Sequence, residues 1–204
     1  MSPARFLLSL PLVIAAALAG SGCGKTETTA STTPMTEVAQ PLPKLPPGWK
    51  ARRDRSIGYA IGIPPGWELS GHGGKALFRS PDHLVAVTLA VDRNPDALQQ
   101  PLGQLATQTL AALPGFESPL QPAKPRPFSG TPLEAVETAA NGTTKPGGIR
   151  ERATLIALRR DSLVNYSVAV LENAERAESA DDRAVALAMV RTLRDQPVVA
   201  RVSP

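Results

Sequence analysis

Apolar residues recur at every second position in three stretches of the chain. In Tyr59-Ala60-Ile61-Gly62-Ile63 the residues Tyr59, Ile61 and Ile63 share one face. From Leu84 to Val91, the residues Val85, Val87, Leu89 and Val91 alternate with the smaller Ala86, Thr88 and Ala90. From Val164 to Val170, the residues Val164, Tyr166, Val168 and Val170 alternate with Asn165, Ser167 and Ala169. A period of two with one strongly apolar face predicts half-buried strands. Weaker forms of the pattern predict strands over 67–70, 76–80, 133–140 and 149–159. The last two are joined by the turn-rich run Asn141 to Gly148.

Two segments carry helical spacing instead. Residues 96–113 place Leu98, Leu102, Leu105, Leu110 and Leu113 ahead of a Pro114-Gly115 stop. Pro101 is tolerable only in a first turn, which moves the expected start toward Gln100. A second helix is predicted over about 180–195, with Ser179 as N-cap and Asp181-Asp182 in the first turn. Its apolar face is Ala186, Met189, Val190 and Leu193, and Arg191 and Arg194 suit its C-terminal end. Strands, a helix, more strands and a terminal helix predict an α+β fold, a mainly antiparallel sheet covered by helices.

Turn chemistry and stiff segments complete the domain. Pro47-Gly48-Trp49 and Pro65-Gly66-Trp67 are near-copies whose flanks do not correspond, so they read as two Pro-Gly turns and not as a repeat. In each, the Trp is expected to anchor the next strand, and Trp67 to be a major core residue. The Pro-rich stretch 119–132, with Pro122-Ala123-Lys124-Pro125-Arg126-Pro127-Phe128 at its centre, reads first as a connector with Phe128 in the core. The rival reading is a basic arm presented to a partner or to lipid head groups. The globular domain is expected over 48–197, with a tail over 198–204.

Ahead of the domain the texture changes twice. Residues 1–22 open with Arg5 and then run apolar and uncharged from Phe6 to Ala19. That stretch is shorter than the roughly 20 residues of a membrane-spanning helix and suits a signal peptide. Gly20, Ser21 and Gly22 lead into Cys23, the sole cysteine of the chain. The pattern resembles the bacterial lipobox, with Gly20 where Leu is usual, and it makes Cys23 the expected lipid attachment site. The same residues fit a relaxed P-loop, Ala19 to Thr26, but the Thr-rich, Pro-terminated run behind it propagates no helix to receive a phosphate. No nucleotide is therefore expected. From Cys23 to Pro47 the chain is rich in Thr and Pro and poor in large apolar residues, the composition of a disordered tether. Its root-mean-square span would be about 25–30 Å.

Composition narrows the function classes. The net charge of +4 comes from 22 Lys and Arg against 18 Asp and Glu, spread without clusters, and aromatics make up 4% of the chain. Nucleic-acid binding calls for clustered cations and stacking aromatics, so none is expected. The two histidines, His72 and His83, lie in turn-like sequences, and no further thiol is available to complete a zinc site. No Gly-x-Ser-x-Gly elbow occurs. Glu134, Glu137 and Glu151 fall on predicted strands, where spacing alone does not make an acid pair. No catalytic residue, metal or cofactor is assigned, and the ligand-binding residues are left unassigned.

The phrase Gly58-Tyr59-Ala60-Ile61-Gly62-Ile63-Pro64-Pro65-Gly66-Trp67 resembles the opening hairpin of PsbP-like α/β/α sandwich domains, and Met189 to Arg194 is similar to their last helix. With the Cys23 leader and the Thr/Pro tether, the whole most resembles lipoproteins of the LpqN type, over roughly residues 50–196. The resemblance implies a non-enzymatic binding or assembly module associated with envelope lipid handling. Its partners would be the membrane, through the lipid anchor, and an envelope lipid or envelope protein, with the domain facing outside the cytoplasm. A protein-only scaffold and an unrecognised hydrolase stay open as rivals. Replacing Cys23 by Ala is expected to abolish acylation and release the protein from the membrane fraction. Detergent partitioning and intact mass check this, and an unmodified Cys23 in native membranes would contradict it.

Overall fold

The computed structural model describes residues 40–71, 75–145, 147–160 and 164–196. Cys23, His72 and most of the expected tether lie outside them. The elements are β1 (Lys50–Asp54), β2 (Tyr59–Ile63), β3 (Glu68–Ser70), β4 (Lys75–Arg79), β5 (Val85–Asp92), α1 (Pro95–Gln99) and α2 (Leu102–Ala111), then β6 (Arg126–Pro127), β7 (Glu134–Thr143), β8 (Arg150–Arg160), β9 (Val164–Asn173), α3 (Ser179–Arg191) and β10 (Arg194–Asp195). Seven strands form one sheet in the order β3-β4-β5-β9-β8-β7-β6, and β1-β2-β10 form a second, small sheet. Every pairing is antiparallel. The fold is α+β with a mainly antiparallel sheet, as the alternation predicts.

The large sheet has two different faces because its strands alternate two sizes of side chain. Val85, Val87 and Leu89 of β5, Phe78 of β4, Ile156 and Leu158 of β8 and Tyr166, Val168 and Val170 of β9 face one way and are buried. Against them pack Ala186, Met189, Val190 and Leu193 from α3 and its end, together with Tyr59 and Ile61 from the small sheet. The other face carries Ala153, Leu155, Ala157 and Ala169, covered by Leu102, Ala106 and Leu110 of α2 and by Phe116 and Leu120 beyond it. The result is a layered core on both sides of a central sheet.

Local chemistry moves several predicted boundaries. The single helix predicted over 96–113 is two helices. Gln100 is extended at ψ 138°, as a residue before proline is driven to be, and Pro101 then starts α2 afresh. The terminal helix ends at Arg191, and Arg194–Asp195 turn into a short strand against Ala60 and Tyr59. Ser179 does not cap α3; its hydroxyl donates to the carbonyls of Asn173 and Arg176 at 2.7 Å each, which closes the turn before the helix. Glu178 occupies the cap position without a side-chain bond. The Pro-rich stretch is a connector that adds β6 to the sheet edge, where proline is tolerated. Phe128 is buried, with the Arg191 guanidinium 5.1 Å above its ring.

Both Pro-Gly-Trp segments are tight turns. Trp49 N–H donates to Pro46 O at 3.2 Å and Trp67 N–H to Pro64 O at 3.4 Å, with Gly48 at φ 82° and Gly66 at φ 77°. A positive φ at the third position of a four-residue turn is what glycine supplies without strain. Trp67 packs against the main core but is only partly buried, a smaller role than expected for it. Residues before the predicted boundary also touch the domain: Gln40 O accepts from Gln196 Nε2 at 2.9 Å.

A buried polar cluster fastens the two sheets together. Asp195, 1% exposed, takes the Arg160 guanidinium on one carboxylate oxygen and the Tyr166 hydroxyl on the other. That hydroxyl also lies 2.9 Å from Gly58 O, beside β2. Burial first, and then the Asp195 carboxylate, push the Tyr166 phenol far above its ordinary range, so it stays a donor. Replacing Leu158, fully buried between sheet and α3, by Ala is expected to cost about 2–5 kcal/mol. Trp67→Ala should cost less, because less of the indole leaves water. Urea unfolding of the two variants checks the ordering, and a larger loss at Trp67 would contradict this packing.

Candidate functional site

The titratable residues singled out in the sequence fall in a hairpin turn and on β7 and β8 wherever they lie among the described residues. His83 is exposed at φ 61° in the β4–β5 hairpin turn. Asp82 builds that turn by accepting from Leu84 N–H at 2.9 Å and from the Ser80 hydroxyl at 2.6 Å, and these bonds, the hydroxyl first, lower its pKa. Ser80 is fully buried, and its Oγ also accepts from Val85 N–H at 3.0 Å. With both its donor and acceptor roles taken, Ser80 is no exposed nucleophile despite its closeness to His83 and Asp82. Glu137 pairs with Arg126 at 2.8 Å across the β6–β7 edge. Glu134 is exposed, and Glu151, half-buried, has its pKa raised by burial. Among the described residues no group of three or more His, Cys, Asp or Glu side chains could hold a metal ion, and no helix is long and apolar enough to cross a membrane.

Other buried charges stitch elements together. Glu172 at the end of β9 faces Arg183 of α3 at 3.1 Å and Arg152 of β8 at 3.8 Å. Burial raises its pKa and the two guanidiniums pull it back. Arg159 donates through Nη2 to Gln100 O at 2.6 Å and through Nε to Asn165 Oδ1 at 2.8 Å. Asn165 Nδ2 in turn donates to Ala97 O at 2.9 Å. A cation and an amide thus satisfy carbonyls that α1 leaves open at its C-terminal end. This fixes where the chain turns into α2, and so where α2 lies on the sheet.

The position of α2 creates an apolar concavity. The helix packs on β7 and β8 and only touches β9. Between its C-terminal end and the inner strands opens a groove of about 650 Å³. Leu113 and Pro114 form one wall, Leu155, Ala169 and Leu171 the floor, and Thr88 and Ala90 the far side. The floor is mostly apolar because these strands turn small or aliphatic side chains to this face. Lys75, at the start of β4, is the only charged residue on its lining among the described residues. Small-molecule sites are apolar concavities of about 300–1,000 Å³ with few polar groups, and this groove matches that description.

A second hollow, about 530 Å³, lies between the β1–β2 hairpin and the start of β4. Its wall is mixed, with Arg52, Asp54, Ser56, Ser70 and Lys75 on the polar side and Ile57, Leu69 and Ala76 on the apolar side, beside Tyr59. Asp54 accepts from Ser56 Oγ, and from Ser56 N–H and Ile57 N–H at 3.0 and 3.2 Å, and the hydroxyl bond is the main cause of its lowered pKa. Burial raises the pKa of the Tyr59 phenol, with the Asp54 charge adding to it. A third, smaller hollow of about 210 Å³ lies over the Arg126–Glu137 pair and Arg183. Nothing in the sequence pattern pointed to the groove, although the small residues Thr88, Ala90, Ser167 and Ala169 that leave room for it were visible in the alternation.

No protein-family model matches the chain, and no curated protein does. Several solved structures are similar in overall fold. One is LpqN, involved in cell envelope biogenesis of Mycobacterium tuberculosis, at 12% identity and a TM-score of 0.48, over 73% of this chain and 91% of that one. Another is the Ran-binding protein Mog1p of Saccharomyces cerevisiae, at 11% identity and a TM-score of 0.49, over 71% and 94%. A third is a protein from Bacteroides thetaiotaomicron VPI-5482, at 12% identity and a TM-score of 0.49, over 73% of this chain and 49% of that one. These likenesses are of fold alone.

Proposed function

We propose that this chain is a lipid-anchored, non-catalytic binding module of a bacterial cell envelope, and that the groove beside α2 receives the acyl chain of an envelope lipid. The groove itself is the observation that carries the reading. It offers an apolar floor with a single cation at one end, the lining an alkyl chain would want and a catalytic centre would not. Burying a chain there contributes about 25 cal/mol for each Å² of apolar surface removed from water. The leader, with Cys23 behind an apolar run, supports an anchored location on the outer side of a membrane. The domain would then stand off the bilayer on the Thr/Pro segment and meet lipids at its surface.

A bulky residue in the groove should exclude the ligand without unfolding the domain. Ala90 lines the groove and is only partly buried, so Ala90→Trp fills space that the fold leaves open. After gentle extraction of the full chain, native mass spectrometry is expected to show co-purifying lipid on the wild type and at least tenfold less on the variant, with the thermal midpoint unchanged. Equal lipid on both would contradict the placement. A stoichiometric protein in place of lipid would favour a scaffold role.

A further inference from the structure

We infer that the groove's ligand is an anionic amphiphile whose charged head group is held at Lys75 and in the second hollow beyond it, an assignment that rests on the acyl-chain reading of the groove. Lys75 lines both concavities. β3 pairs with β4 from Leu77 to Arg79, and Gly71, just beyond it, lies against the backbone of Lys75 and Ala76. The two concavities, one on each face of β4, share Lys75. On its other side Lys75 pairs with Ala90, which puts the base of the side chain at the groove's rim.

The charges around Lys75 favour an anion. Among the described residues, Arg52 and Lys75 are the two cations of the second hollow, and Asp54 is its only carboxylate. Asp54 is already engaged by Ser56 and Ile57, and its contact with Arg52 is loose at 3.9 Å. Lys75, exposed, can lay its methylene stem along the groove and hold its ammonium in water over the head group. Ser56 and Ser70 supply hydroxyls to a head larger than a carboxylate. A chain in the groove and a polar head folded over the β4 edge would fill both spaces with one molecule.

The test compares single-chain ligands that differ only in the head: palmitate, hexadecanol and palmitoyl lysophosphatidylglycerol. Each is titrated by calorimetry into the full chain, carrying Cys23→Ser so that no attached lipid competes. Both anionic ligands are expected to bind roughly tenfold or more tightly than hexadecanol, a charge-assisted difference that high salt reduces. Lys75→Gln, at an exposed position, should remove that difference for palmitate, reduce it for the lysophospholipid and leave hexadecanol unchanged. Arg52→Gln should weaken the lysophospholipid and spare palmitate. Hexadecanol binding as tightly as palmitate would overturn the head-group assignment and leave the groove reading standing. Lysophospholipid binding indifferent to Arg52 would overturn the part of the assignment that places the head in the second hollow. No binding by any of the three would overturn the groove reading itself, and this inference with it.

Discussion

A seven-stranded sheet with two apolar faces must be covered on both, and this chain has little helix to do it with. Seven strands at about 4.8 Å spacing span roughly 29 Å. The ten residues of α2 extend only about 15 Å. On the opposite face α3 and the small sheet share the task, and nearly every large side chain there is fully buried. On the α2 face the coverage stops at β9. The inner strands limit the exposed apolar patch by turning Ala86, Thr88, Ala90 and Ser167 outward, beside the larger Leu77 and Leu171. Incomplete cover over small residues makes a groove, and the proposed ligand site is a consequence of that constraint.

Polar contacts decide where the cover sits. Arg159 and Asn165 hold the open carbonyls of α1, and Pro101 forces the break that lets α2 set off over β7 and β8. On the other face, Asp195 gathers Arg160 and Tyr166 and pins the strand after α3 against β2. A buried ion pair of this kind is weak evidence of net stability, but breaking it leaves an uncompensated charge. Its structural effect is to lock one layer, which leaves the groove side as the open one. The further step to an anionic ligand depends on one more local fact, that Lys75 lines both hollows.

The strongly alternating strands were legible in the sequence because each buries one face. The faces of α3, from Ala186 to Leu193, followed from helical spacing in the same way. Three short strands were not legible. Lys50–Asp54 is nearly all exposed and charged, and Arg126–Pro127 and Arg194–Asp195 are two-residue pairings set by neighbours distant in the chain. Trp67 was overestimated because its turn was readable and its depth was not. The groove could not be read at all, since it depends on where α2 lands, which Arg159 decides from 59 residues further along than Gln100. Cys23, the one site assigned from sequence, rests on leader composition and lies outside the described residues.

The central claim is that the uncovered strip beside α2 holds an alkyl chain. Photolabelling the full chain with a diazirine-bearing fatty acid, with mapping of the adducts, addresses it most directly. Adducts are expected only on residues lining the groove, among them Thr88, Ala90, Leu113, Ala169 and Leu171, and they should be lost when unlabelled palmitate is added in excess. Adducts clustered on the α3 face, or scattered over the surface and indifferent to competitor, would contradict it.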